Sequence, residues 1–205
     1  MLSHIRLDKM HERHRGLTQP IAAYFGEAAW VCLNRYHASP IAIRLFDDGT
    51  ETNEQMIWAT PDARVLGAWA NTTDATEAGA CGCLIAGVEL LRGHFAVRRA
   101  EAGTGADYYI RPTGSGETDL ENCLRLEVSG LGAGDSEEVR ARLARKVQQV
   151  RKGDGSLPAL AGVIEHMIRR YVFWWWTCRD SNKPLGRSWA RQLGISHTWL
   201  HESSS

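Results

Sequence analysis

His94-Phe-Ala-Val-Arg-Arg-Ala100, Gly105-Ala-Asp-Tyr-Tyr-Ile110, Leu124-Arg-Leu-Glu-Val128, Ser136-Glu-Glu-Val-Arg-Ala-Arg-Leu-Ala-Arg-Lys-Val-Gln-Gln-Val-Arg151 and Pro158-Ala-Leu-Ala-Gly-Val-Ile164 form the stretch that decides the fold. The first run alternates like a strand. Gly103-Thr-Gly105 leads into the second, and Ser129-Gly130 closes the third. A turn-rich loop over 112–119 separates the second from the third. In 136–151, Val139, Leu143, Val147 and Val150 recur at helical spacing, so this segment reads as an amphipathic helix. The run at 158–164 is continuously apolar, as expected of a buried central strand. Upstream, 74–92 reads as a helix with Asp74 as N-cap and Gly93 at its end. The order is α-β-β-β-α-β, and a strand reached through a crossover helix implies a parallel pair inside a mixed sheet. The fold class expected is α/β (α+β), a mixed sheet flanked by helices.

Working outward, Ile21, Phe25, Ala28, Ala29 and Leu33 place a helix over 20–35. Ile41 to Phe46 is a β-type run ended by Asp47-Asp48-Gly49, a turn signal, with 55–59 as its hairpin partner. Pro61 can open a helix reaching about Ala70. Three parts are expected: a polar arm over 1–16, the α/β domain over 17–167, and a helical tail over 168–205.

Hydrophobic residues make up 43% and charged residues 23% of the 205, an ordinary globular balance. Net charge is zero, which argues against bulk attraction to polyanions. The charges are unevenly placed: from Asp135 onward lie 12 of the 24 Lys and Arg but only 7 of the 24 Asp and Glu. The basic end is where a phosphate partner is to be sought. Five cysteines fit no disulfide framework, and the charged start lacks the apolar core of a signal peptide, so a reducing, cytoplasmic setting is expected. Cys81 and Cys83 would face apart on a helix and have no second pair nearby.

Asp107 lies near the start of the second strand and Glu127 near the end of the third. If those strands pair, the two carboxylates converge at one edge, the oxygen donors a hard cation such as Mg2+ requires. Glu77 shares the stripe of Cys81, Leu84, Val88 and Leu91 and should point at the sheet. Lys146 falls beside the stripe of the later helix and brings an ammonium near the acids. Plainer readings stand beside these. Asp74 and Glu77 also fit a capping box. Asp107 fits a turn cap, Glu127 a pair with Arg125, and Lys146 a side chain snorkelling past apolar surface.

The element order, Gly105-Ala-Asp107 and Leu126-Glu127-Val128-Ser129 together resemble the PD-(D/E)xK nuclease superfamily over about 74–164. That resemblance implies a restriction-endonuclease-like core, a metal (Mg2+) at Asp107 and Glu127, Glu77 as an accessory helix acid, and phosphodiester hydrolysis. Where the family carries lysine two residues after the strand acid, this chain has Ser129. Either Lys146 substitutes from the helix or the site is inactive.

Arg187 to Leu200 resembles a helix-turn-helix, with Ala190 at the helix crossing, Gly194 in the turn, and Ile195 and Leu200 as core positions. The resemblance implies Ser196, His197, Thr198 and His201 at the major groove and Arg187 and Arg191 on phosphates. A plain helical hairpin docked through 171–176 is the competing reading. The expectation is a nucleic-acid-associated protein, a Mg-dependent nuclease or an inactive relative, with DNA as partner and a homodimer allowed. The alternative is a non-catalytic DNA-binding or protein-interaction module. His11-x-x-His14 and His197-x-x-x-His201 have helical metal spacing without a third ligand.

Overall fold

In the computed structural model the chain runs β1 (His4–Arg6), α1 (Met10–Arg13), α2 (Gln19–Tyr36), β2 (Ile41–Asp47), β3 (Thr50–Ile57), α3 (Ala63–Ala68), α4 (Thr72–Arg92), β4 (His94–Arg99), β5 (Tyr108–Pro112), β6 (Leu124–Leu131), α5 (Ser136–Lys152), β7 (Ala159–Glu165) and β8 (Val172–Cys178). The structure describes residues 4–47, 50–112, 120, 122–153, 157–167 and, as backbone, 172–178. The α-β-β-β-α-β order read from the sequence is the order of α4 through β7.

Among the described residues, eight strands join one mixed sheet in the order β1-β3-β2-β8-β7-β6-β5-β4. The meander β4-β5-β6 is antiparallel, and β7 returns parallel to β6 across the α5 crossover. β7 is buried along its whole length, as its unbroken apolar run requires. The pleat sends alternate residues of β6 to opposite faces. Leu126 and Val128 join the core formed with α2 and α4. Glu127 meets Lys146 of α5 on the other face. The buried stripe of α5 is Val139, Leu143, Val147 and Val150, as its spacing requires.

Two expectations about the ends are corrected. Residues 4–14 are not an arm. β1 pairs parallel with β3, and Ile5, Leu7 and Met10 are buried. His14 is fully buried and is no metal ligand. Its Nδ1 accepts from the Ala96 N–H at 3.1 Å, which leaves Nε2–H to face Glu89 Oε2 at 3.0 Å. The carboxyl of Glu89 is held below its ordinary range by hydrogen bonds from His14 and Arg13, which outweigh the opposing effect of burial. At the other end, 172–178 is not part of a helical tail. β8 is an internal strand, parallel to β2 and antiparallel to β7. The helix-turn-helix resemblance at 187–201, with Arg187, Arg191, Ser196, His197, Thr198 and His201, lies outside the described residues. Among the described residues no helix is long and apolar enough to cross a membrane.

α4 begins two residues earlier than its spacing suggested. Its N-cap is Asn71, whose side chain accepts from the N–H groups of Thr73 and Asp74. Asp74 is therefore inside the first turn, and the Asp74–Glu77 capping box does not form. Gly93 ends the helix at φ 60°, the left-handed conformation glycine tolerates. Asn71→Ala should cost about 1 kcal/mol, read as a lower denaturant midpoint at unchanged slope. Asp74→Ala should cost less, because Asp74 does not cap.

A candidate carboxylate site in a two-walled cleft

The turn between β4 and β5 positions the first acid. Gly103 and Gly105 adopt positive φ, 89° and 66°, which glycine takes at little cost. A Cβ on Gly105 would stand 2.8 Å from the Gln149 carbonyl, so the turn rests directly on the last turns of α5. The strand register is Tyr108 opposite Leu126, which sets Asp107 beside Glu127 across the ladder. β5 itself starts at Tyr108, three residues later than the sequence suggested, and Asp107 leads into it.

Asp107 is anchored at both oxygens. Oδ2 accepts from the Val128 N–H at 2.9 Å and Oδ1 from Arg99 Nη2 at 3.2 Å. Asp107 thus does not merely cap its own turn. Glu127 is 3% exposed. Its Oε1 accepts from Lys146 Nζ at 2.5 Å and from Gln149 Nε2 at 2.8 Å. Among the described residues Oε2 has no hydrogen-bond partner. Arg125 is not its partner, for that guanidinium donates to the carbonyls of Leu157 and Thr104. Burial pushes the Glu127 carboxyl above its ordinary range and the Asp107 charge adds to this, while Lys146 and Gln149 pull it back. A buried pair of this kind costs desolvation that its attraction only partly offsets.

The acids sit in a cleft of about 1360 Å³ that also takes in Glu77. All four site residues named from the sequence are therefore on one cleft. Glu77 does not point at the sheet as expected. It is exposed on the α4 rim and makes no hydrogen bond or ion pair with a described residue. Ser129 lies on the α5 side of β6 with Glu127, so the ammonium of Lys146 arrives on the face where a strand lysine at 129 would have stood. Cys81 also lines the cleft, but burial first, and then the Asp107 charge, push its thiol up to about 12, and it is no nucleophile at neutral pH.

Sequence reasoning missed Arg99 and Gln149. The signal for Gln149 was present, three residues beyond Lys146 and so on the same helical face. Arg99 reaches Asp107 only through the β4–β5 register. No group of three or more His, Cys, Asp or Glu among the described residues is arranged to hold a metal ion. Two carboxylates nevertheless fit magnesium, which keeps several waters and is often held by one or two carboxylates.

No family model matches the chain, and no match is found among curated proteins or solved structures. The chemistry rests on the residues themselves. Two carboxylates stand at facing register positions, one of them buried with an oxygen that has no hydrogen-bond partner among the described residues. Arg142 and Arg145 of α5 line the same cleft and carry the charge that a phosphate would meet.

Proposed function

We propose that the chain binds nucleic acid and hydrolyses phosphodiester bonds with magnesium held by Asp107 and Glu127, in a restriction-endonuclease-like core. The observation that carries this reading is the convergence of those two acids at facing positions of adjacent strands, with Lys146 on the buried one. The order of α4 through β7, with β7 parallel to β6, supports the same reading.

A bound divalent cation would neutralise phosphate charge and lower the pKa of a bound water. The protein's own residues do the rest. Gln149 and Lys146 fix the rotamer of Glu127 through Oε1 and leave Oε2 without a hydrogen-bond partner among the described residues. The Val128 N–H and Arg99 fix Asp107. Lys146 brings positive charge to where an anionic transition state would develop. Glu77, unpaired and exposed, can accept a proton from water at the cleft mouth.

The test is cleavage of labelled DNA and RNA, single and double stranded, with Mg2+ and with EDTA. Metal-dependent cutting that Asp107→Ala abolishes is the expected result. No cutting of any substrate, together with no effect of Mg2+ on the melting temperature, would overturn the reading.

A further inference from the structure

The two walls of the cleft differ in chemistry. One is the N-terminal half of α2, where Ile21 is 42% and Tyr24 48% exposed. They stand one helical turn apart, and the Tyr24 ring is propped against Trp69 with centroids 4.6 Å apart. The other wall is one face of α5, where Arg142, Arg145, Lys146, Gln149 and Lys152 recur at three- and four-residue spacing. Lys146 is committed to Glu127. Arg142, Arg145 and Lys152 make no ion pair with a described residue, and the buried Nε of Arg142 has no hydrogen-bond partner among them. Asp74 and Glu77 line the α4 rim.

We infer that the cleft takes a single, unpaired nucleic-acid strand, with a base laid on Tyr24 and Ile21 and the backbone phosphates on the α5 arginines. This deepens the proposed function and rests on it for the reacting bond. The charges sort the strand. Phosphates are repelled by Asp74 and Glu77 and attracted by Arg142, Arg145 and Lys152, so the neutral bases are left for the apolar wall. In a duplex the π-faces of the bases are stacked within the helix and only edges and backbone are offered. An exposed aromatic ring inside a cleft then finds nothing to stack on. A strand with free bases fits both walls at once, and aromatic stacking is sequence-tolerant because every base has a π-face. The volume exceeds the ~300–1,000 Å³ of small-molecule pockets and suits several linked nucleotides.

The test uses the full chain carrying Asp107→Asn, in EDTA, so that nothing is cut. It reads the fluorescence anisotropy of a labelled oligothymidine of about 20 nucleotides and of a blunt duplex of equal length, at low salt. The strand is expected to bind about tenfold more tightly than the duplex. Tyr24→Ala should weaken strand binding about tenfold and leave duplex binding unchanged, and Tyr24→Trp should retain it. An abasic strand of the same charge should not respond to Tyr24→Ala. Should that variant unfold, as its melting curve would show, Ile21→Ser on the same wall carries the comparison. Duplex binding equal to or tighter than strand binding, strand affinity indifferent to the folded wall variants, or no binding of either probe each overturns the inference. Metal-dependent cutting of duplex without strand preference would overturn it and leave the proposed function standing. Strand binding by this wall, with no cutting of any substrate and no effect of Mg2+ on the melting temperature, would do the reverse.

Discussion

Glu127→Gln is expected to lower magnesium-dependent cleavage by about a thousandfold while leaving the fold intact. The amide keeps the shape of the carboxylate, and its oxygen can still accept from Lys146 and Gln149, so the contacts at Oε1 survive. What is lost is the charge that a cation needs. Charge stabilisation by a bound metal amounts to several kcal/mol, and about 1.4 kcal/mol corresponds to a tenfold change in rate. The same site has a pH dependence of known sign. Burial and Asp107 raise the Glu127 carboxyl, so a proton competes with the cation as pH falls, and magnesium binding should strengthen with rising pH. Lys146→Met removes one of the two groups that lower this carboxyl. The pH midpoint of magnesium-induced thermal stabilisation should then move upward. Full cleavage by Glu127→Gln, or a midpoint moving downward in Lys146→Met, would contradict the assignment.

The second large effect is on stability and involves His166, just beyond β7. It is fully buried; its N–H donates to the Leu131 carbonyl, and its carbonyl accepts from His37 Nε2 at 2.9 Å. Burial pushes its imidazole down to about 4 from an ordinary 6.5; contact with the Thr76 backbone opposes this, and Arg35 and His37 add to the depression. The folded state therefore prefers the neutral ring. The stabilisation is fully present above the unfolded value near 6.5 and is lost as pH falls toward 4. The shift corresponds to about 3 kcal/mol across that window. Carboxylates held low in the fold, Glu89 among them, lose stability in the same direction. The measurement is thus a difference: the fall in unfolding free energy from pH 7 to pH 4 in the parent against His166→Gln. The parent should lose about 3 kcal/mol more. Equal losses would show that His166 does not titrate as its burial requires.

The sequence carried the α4-to-β7 half because each element there has its own period. The α5 stripe, the alternation of β4 and the unbroken apolar β7 are local signals. The acids at 107 and 127 followed from strand order alone, since a tight meander sets the start of one strand beside the middle of the next. What could not be read depends on partners distant along the chain. β8 comes from Val-Phe-Trp-Trp-Trp-Thr-Cys, a run with no alternation, and periodicity cannot tell a buried strand of that length from a buried helix. β1 is three residues long and owes its conformation to β3, some fifty residues away. The cap of α4 was misplaced because Asn71, Thr72, Thr73 and Asp74 are all capping residue types, and only the backbone chooses among them. The aromatic wall was missed because Ile21 and Tyr24 extend the apolar stripe of α2 and look like core.

The position of β8 has a bearing on how the molecule is made. Strands β1 to β3 and β4 to β7 are both synthesised before the one that lies between them, and until residues 172–178 emerge the flanks of β2 and β7 present unpaired backbone groups to any passing chain. Among the described strands, the one made last lies between the two halves of the sheet. Were the two half-sheets to form first, joined where α2 packs on α4, sealing would be a late, single insertion rather than a gradual zipping from one end.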